Sequence, residues 1–296
     1  MPPARGADES WGIMNDLPSD YVRMHYHSIS NLRMVVNNVR DILERDGSGN
    51  QYILILGLPE RMRKRLLDED NLIGVSVRLE LDGTSAVVKI PTAEHEACTT
   101  ELMYEIRAIC SNMGIPPFDV MMGGATTHKM PGGQRAKQPD QCLWPADRQP
   151  LAGRPHGWPT VAIETGVAES LARLQQDARW WFENSLGATR IVLVMSINRT
   201  GHRIIIQKWQ LAPPSTPSPL TRLRIDQIRT RPPPRVQQAA NLQQPYVAQE
   251  IEISPTGVLG APLVLDFRAV LDRLPSGEEA DIVIPEDVLV RCTRSV

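Results

Sequence analysis

Aromatic residues are scarce in this sequence, at 5% of all positions, and four cysteines occur in 296 residues. The cysteines are widely scattered, and no two of them have the close Cys-x-x-Cys spacing of a zinc site. We therefore expect reduced thiols in an intracellular protein, cytoplasmic or nuclear, rather than a disulfide framework. The four are Cys98, Cys110, Cys142 and Cys292.

Long apolar runs are missing as well, since none approaches the roughly 20 residues that cross a bilayer. The polar start, MPPARGADES, lacks the apolar core of a signal peptide, and we expect no membrane association. The net charge of −2 indicates no global basic field, so a nuclease would need a local basic patch. Motifs such as Gly-x-Gly-x-x-Gly, Gly-x-Ser-x-Gly and His-Glu-x-x-His do not occur, which leaves a small-molecule enzyme without support.

The rest of the composition is ordinary, with 42% hydrophobic and 22% charged residues. We predict an N-terminal extension with a helix over 1–71, a core over 72–211, a linker over 212–235 and a β-rich segment over 236–296. The linker is rich in proline and arginine and lacks apolar periodicity. Its arginines suit contact with a nucleic-acid backbone and equally suit a solubilising tether. They are Arg222, Arg224, Arg229, Arg231 and Arg235.

The core has the element order of a mixed α/β domain. Residues 75–91 alternate apolar and polar side chains around an Asp-Gly pair, which predicts a β-hairpin. Thr92 is the predicted N-cap of a helix over 92–114. Residues 118–133 predict a strand that runs into a glycine-rich loop. After two further strands come a helix over 169–184 and a second hairpin over 189–211.

Each of those two strands carries an acid. Asp140 follows Pro139 at a strand entrance, and Glu164 ends the apolar run 161–163. Two carboxylates at neighbouring strand ends form an oxygen-rich site that suits a divalent cation. Each acid also has a structural explanation. Aspartate is common in turns, so Asp140 can be a turn residue, and Glu164 can cap the following helix.

This order resembles the PD-(D/E)XK, or restriction-endonuclease-like, superfamily, with Pro139-Asp140 as the PD and Glu164 as the second acid. The frame is most similar to Uma-type endonucleases and to fungal proteins with the same core, because His95 and the strand RIVLVMSI occupy the matching places. The similarity covers roughly residues 75–211. It implies a central mixed sheet flanked by helices, to which we expect this chain to add an N-terminal helical part and a C-terminal strand-rich part.

The resemblance also implies hydrolysis of phosphodiester bonds with Mg²⁺ or Mn²⁺. Asp140 and Glu164 would bind the metal, which lowers the pKa of the attacking water. His95 would lie close to the metal, or would simply cap the start of its helix.

The basic residue of the superfamily is missing from its usual place. A lysine normally stands two residues after the second acid, where this sequence has Gly166. Some relatives place the polar group on the following helix, where Gln175 falls within the predicted buried stripe and Arg179 lies one turn later. These two are the candidates for the electrostatic role of the lysine, although a guanidinium cannot transfer a proton.

The sequence therefore predicts a metal-dependent nuclease acting on nucleic acid, with DNA favoured, or a protein descended from one. The alternative is a non-catalytic nucleic-acid- or protein-binding module that keeps the fold, which Gly166 and the slight acidity favour. The carboxylates discriminate between these functions: convergence on one ion indicates an enzyme, and divergence indicates a binding module. Whether the protein is an enzyme stays open at this point.

Overall fold

The computed structural model describes residues 11–14, 16–46, 49–69, 71–149, 157–167 and 171–292. The chain forms two compact units, of which unit 1 comprises residues 1–91 and 129–138 and unit 2 comprises 92–128 and 139–296. The helices within the described residues are Trp11–Met14 (α1), Ile29–Asp46 (α2), Glu60–Asp68 (α3), Ala93–Asn112 (α4), Leu171–Asn184 (α5), Arg222–Ile228 (α6), Phe267–Leu271 (α7) and Glu286–Cys292 (α8). The strands there are Val22–His25 (β1), Tyr52–Leu56 (β2), Arg78–Asp82 (β3), Ser85–Lys89 (β4), Val120–Met122 (β5), His128–Lys129 (β6), Arg135–Lys137 (β7), Gln141–Pro145 (β8), Val161–Val167 (β9), Ile191–Asn198 (β10), Arg203–Leu211 (β11), Pro245–Ser254 (β12), Gly257–Leu259 (β13), Leu263–Leu265 (β14) and Ile282–Ile284 (β15).

Unit 1 is built on a mixed sheet in the order β1-β2-β4-β3-β7-β6. Strand β1 runs parallel to β2, and the pairs β2–β4, β4–β3 and β3–β7 are antiparallel. Strand β2 is apolar along its whole length because helices cover both of its faces. Ile53 and Ile55 belong to the core under α2, whereas Tyr52 and Leu54 pack with Ile13 of α1.

Unit 2 is built on a longer sheet in the order β13-β12-β11-β10-β9-β8-β5. Strands β9 and β10 are parallel and are joined by α5, whereas β10–β11, β11–β12 and β8–β9 are antiparallel. Ile163 and Leu193 share a core with α4, and Ala162 and Val192 share one with α5. Because side chains alternate along a strand, α4 and α5 therefore cover opposite faces of this sheet.

The predicted fold class, a mixed α/β sheet flanked by helices, is confirmed. The N-terminal helix is α2, and the C-terminal additions are strand-rich, with β12 to β15 accompanied by two short helices. Thr92 caps α4 as predicted, because its side chain accepts a hydrogen bond from the His95 amide. Within the described stretches, no helix combines the length and the apolar character needed to cross a membrane.

The grouping of the segments differs from the predicted boundaries. The hairpin β3–β4, placed with the core in the sequence analysis, joins the N-terminal strands because β4 pairs with β2. Residues 212–235, predicted to be an extended linker, contain α6, whose Ile225 and Ile228 pack with Tyr246. Strand β12 extends the sheet of unit 2 by pairing with β11, so the last segment completes that sheet.

Unit 1 contains a buried ion pair that connects strands β3 and β7. Lys137 Nζ of β7 lies 2.9 Å from Glu80 Oε2 of β3, with side chains 5% and 9% exposed. We expect Lys137→Met to lower the free energy of unfolding by about 3–5 kcal/mol, because it removes a buried ammonium from its hydrogen bond with a buried carboxylate. Urea denaturation followed by circular dichroism measures this.

Lys129→Met is the matched control, since Lys129 makes an equally short contact of 2.7 Å with Asp68 while both side chains are exposed. An exposed pair contributes at most about 1 kcal/mol. Equal losses in the two variants would contradict the assignment of a special role to the buried pair.

Candidate functional site

Asp140 and Glu164 lie on neighbouring strands of the unit 2 sheet. Strand β8 pairs with β9 so that Gln141 is opposite Ile163. Asp140 comes one residue before β8, and its amide donates a hydrogen bond to the Ile163 carbonyl at 3.1 Å. The entrance of β8 at Asp140 therefore lies against Ile163 of β9, the residue before Glu164.

The Asp140 carboxylate is held between β9 and α4. Its Oδ2 accepts a hydrogen bond from the Thr165 amide at 2.7 Å and lies 3.0 Å from His95 Nε2. His95 is completely buried and Asp140 is 3% exposed, so bulk water is excluded from this contact. His95 Nδ1 has no hydrogen-bond partner among the described residues.

A pair of threonine hydroxyl groups lies at the same junction. Thr99 Oγ1 donates to the His95 carbonyl at 2.7 Å and lies 2.7 Å from Thr165 Oγ1. Because the Thr99 hydrogen is used, the Thr165 hydroxyl is the donor in the second contact. Both side chains are buried, so the pair fixes the first turns of α4 on β9, directly beside Asp140.

The Glu164 carboxylate is held by α5 instead. Its Oε1 accepts a hydrogen bond from Trp181 Nε1 at 2.7 Å, and the residue is 2% exposed. Trp181 itself lies among other rings, which are His128, Trp158 and Trp180. A carboxylate in such surroundings has lost its hydration, and its stability depends on the donors that the fold supplies.

The two carboxylates therefore bind helices on opposite faces of the sheet. A shared Mg²⁺ or Mn²⁺ needs carboxylate oxygens that converge on one point, and Mg²⁺ usually keeps several water molecules as well. Asp140 in contact with α4 and Glu164 in contact with α5, both shielded from water, do not fit that requirement. Throughout the described ranges, no group of three His, Cys, Asp or Glu side chains is placed to hold a metal.

Gly166, at the position where the superfamily has its lysine, lies in close contact with α5. A Cβ atom added at Gly166 would lie 3.1 Å from Leu174 Cδ1 and 3.4 Å from two other atoms of the same side chain. A side chain at this position would require Leu174 to shift by a few tenths of an ångström in a closely packed core. Gly166 thus serves the close approach of α5 to β9.

Gln175 and Arg179 contact β11 and are not hydrogen-bonded to either acid. Gln175 Nε2 donates to Gln207 Oε1 at 3.1 Å, and Gln207 Nε2 donates to Glu250 Oε2 at 2.6 Å. The guanidinium of Arg179 stacks on the ring of Trp209, 5.5 Å from its centroid. The half-buried Gln175 therefore has its hydrogen-bond partner in Gln207, which in turn binds Glu250. These contacts attach α5 to the sheet.

A buried ion pair on α5 was missed by the sequence analysis. Arg173 and Asp177 lie 3.2 Å apart and are each 2% exposed. Their spacing of four residues is the signal in the sequence, but this spacing more often marks a pair on a solvated helix face. Burial of the pair results from the tertiary packing of α5, which periodicity does not reveal.

The four cysteines carry no signs of activation. All are free and buried. Burial raises the pKa of Cys98 and Cys110 to about 11 and that of Cys292 to about 12, and it raises the pKa of Cys142 as well. Because the thiolate is the reactive form, these thiols are structural at neutral pH.

A cavity of about 680 Å³ lies elsewhere in unit 2, between β11, β12 and the segments that follow them. Lys208 and Gln210 line it, whereas Asp140 and Glu164 do not. The volume falls within the range of small-molecule sites.

Comparisons with known proteins identify no family. No protein-family model matches the chain, and no curated protein is similar to it. One solved structure with which it can be aligned is a protein from Anabaena variabilis ATCC 29413 described as a "putative nuclease belonging to DUF820". The alignment has 11% identity and a TM-score of 0.34, and it covers 55% of this chain and 87% of that one.

The hydrogen bond between Trp181 and Glu164 can be tested by Trp181→Phe, which keeps most of the ring and removes the donor. We expect a loss of about 1.5–3 kcal/mol in the free energy of unfolding from the hydrogen bond itself, because the acceptor is a charged group. The loss of ring volume adds to this and needs a control. Urea denaturation of the purified variants measures both contributions.

Trp209→Phe is the control, since Trp209 is also buried and its Nε1 donates at 3.0 Å to a neutral acceptor, Gln207 Oε1. A neutral hydrogen bond contributes about 0.5–1.5 kcal/mol, so this variant should lose less stability. If the two tryptophan variants were equally stable, the buried carboxylate would not depend on Trp181.

Proposed function

We propose that this chain is a non-catalytic nucleic-acid-binding module built on a nuclease-like α/β core. The observation that carries the proposal is the commitment of the two carboxylates to different helices. Asp140 binds the Thr165 amide and contacts His95, whereas Glu164 binds Trp181. These contacts give both acids a structural function in the positions where the related enzymes have metal ligands.

The energetics of burial support this assignment. A carboxylate shielded from water is stable only when donors within the protein replace its hydration. The contacts of Asp140 Oδ2 and Glu164 Oε1 hold each carboxylate to its own helix within the core. Gly166 is consistent with this function, because it lacks the basic side chain and lies close to Leu174 of α5.

The arginine-rich segment supplies the local basic patch that a nucleic-acid partner needs. Its five arginines are exposed, and Asp226 is the acid within residues 222–235. Arg235 makes two hydrogen bonds to Asp272, which anchor the end of the segment to α7. Arg222 and Arg224 remain exposed on α6, where they suit contact with phosphate oxygens.

A metal-dependent nuclease is the second candidate, and the cross-strand placement of the two acids favours it. Asp140 comes directly before β8, and its amide donates a hydrogen bond to the carbonyl of Ile163, the residue before Glu164. In this function Asp140 and Glu164, with His95 nearby, would hold Mg²⁺ or Mn²⁺ and polarise a scissile phosphate. Gln175 and Arg179 would have to leave β11 to assist.

The two candidates predict different results in one assay. Labelled single- and double-stranded DNA is incubated with the wild type and with Asp140→Asn/Glu164→Gln, in EDTA, Mg²⁺ or Mn²⁺. The binding module retains DNA in EDTA, measured by fluorescence anisotropy, and releases no shorter product on a denaturing gel in either metal. Cleavage by the wild type that disappears in a variant with a native circular dichroism spectrum would establish the nuclease instead.

The basic patch is tested by Arg222→Gln/Arg224→Gln. We expect weaker DNA binding and a slope of log affinity against log salt that is smaller by about 2, since each lost phosphate contact removes about one unit. Arg23→Gln/Arg61→Gln is the control, because it removes two exposed arginines from unit 1 and changes the net charge equally. Equal slopes in the two double variants would show that net charge, rather than this segment, determines binding.

A further inference from the structure

The cavity of about 680 Å³ has a floor and two chemically different sides, all within unit 2. Lys208 and Gln210, two residues apart on β11, form part of the floor. Arg229 and Arg231 line it from the segment that follows α6, and Asp266 and Asp281 line it from the segments next to β14 and β15. We call this space the cleft.

The arginine side of the cleft offers hydrogen-bond donors. The guanidinium of Arg231 has no ion-pair or hydrogen-bond partner in the described parts of the chain, while its carbonyl accepts a hydrogen bond from Gln210 Nε2. Arg229 has one loose contact, 3.5 Å to Asp226, and that pair is exposed. Arg229 and Arg231 are two positions apart. Two guanidinium groups that line the same cleft suit an anion with several oxygens, of which phosphate is the best match.

The aspartate side offers acceptors that are held in place. Asp266 Oδ1 accepts from the Ala269 amide at 2.8 Å, and Asp281 Oδ1 accepts from the Phe267 amide at 2.9 Å. Both carboxylates are therefore oriented by the start of α7. The second oxygen of each accepts no hydrogen bond from the residues that the structure describes. Rigid carboxylate oxygens facing a cavity suit the hydroxyl groups of a sugar, as in many ribose-binding sites.

The positive charge of Lys208 reduces the repulsion between Asp266 and Asp281. Its Nζ donates to the Val264 carbonyl at 2.7 Å, which holds the ammonium at the base of the cleft. Burial lowers the pKa of Lys208, and the nearby Asp266 and Asp281 oppose that shift. Burial also raises the pKa of Asp266, with a further contribution from Asp281. The ammonium of Lys208 thus offsets part of the negative charge of the two aspartates.

We propose that the cleft binds a sugar phosphate of about mononucleotide size, with its phosphate on Arg229 and Arg231 and its hydroxyl groups on Asp266 and Asp281. A divalent cation does not suit the same space, because Lys208 and two arginines would repel it. A fully anionic ligand does not suit it either, because the aspartates would repel its far end. The inference goes beyond the proposed function, since it concerns a small molecule in the cleft rather than a polymer.

Calorimetric titration of the full chain tests the proposal with four probes: AMP, ribose 5-phosphate, adenosine and inorganic phosphate. We expect AMP and ribose 5-phosphate to bind more tightly than either fragment, because they engage both sides of the cleft. Arg229→Gln/Arg231→Gln should weaken AMP binding at least about tenfold, as expected for the loss of charge-assisted hydrogen bonds. Arg23→Gln/Arg61→Gln should bind AMP as the wild type does.

Asp281→Asn separates hydroxyl recognition from general electrostatics. Asparagine keeps an Oδ1 acceptor for the Phe267 amide, so the fold of α7 should persist. It replaces the second carboxylate oxygen by an amide group. We expect weaker binding of AMP and of ribose 5-phosphate, with no loss for inorganic phosphate, since only the sugars contact Asp281.

Three results would overturn the proposal. One is the absence of heat of binding for AMP at millimolar concentration. Another is inorganic phosphate that binds as tightly as AMP, which would leave the aspartates without a function. The last is tighter AMP binding by Asp281→Asn, which would show repulsion instead of a hydrogen bond. DNA binding in the Arg222→Gln/Arg224→Gln experiment is measured separately, so either conclusion can fail without the other.

Discussion

The hydrogen bond from the Thr165 amide to the Asp140 carboxylate joins three parts of unit 2. It connects the entrance of β8 to β9, and the same oxygen contacts His95 at the start of α4. The neighbouring residue, Glu164, makes the corresponding connection from β9 to α5 through Trp181. Two consecutive residues of one strand therefore determine how the helices on both faces are seated. Acids buried in this way stabilise the fold only while their donors stay in place, which couples the strand and both helices.

Part of this arrangement could be predicted from the sequence. The apolar run before Glu164 predicted a buried strand, and the apolar spacing of α5 predicted a buried stripe, to which Trp181 belongs in the structure. The hydrogen bond between them could not be predicted, because it depends on the rotation of α5 over the sheet. Gln175 shows the same limit. A half-buried glutamine signals a partner, but Gln207 is 32 residues away, and its distance from α5 depends on strand register.

Less of the C-terminal third could be predicted from the sequence, because most of its helices and strands are short and lie against other segments of unit 2. Residues around Arg231 carry no apolar periodicity, and β14 and β15 are three residues each. Their role becomes visible when β12 completes the sheet and supplies a common floor. Asp266 is a recognisable helix cap, since it precedes the short apolar helix α7, and its second function as a cleft residue has no local sequence signal. Sites assembled from distant segments are in general invisible to pattern analysis.

The two units are interleaved along the chain, because residues 129–138 of unit 1 come after α4 and β5 of unit 2. Strand β7 in that return segment pairs with β3, so the sheet of unit 1 lacks a member until residue 137 has left the ribosome. By then the polypeptide for α4 has already been made, while its partners β9, β15 and α8 have not. During synthesis, segments of unit 1 and unit 2 are therefore made in turn. Neither unit is encoded by one continuous stretch of the chain. A single cut after residue 91 would separate β3 from β7 and would release no intact unit 1.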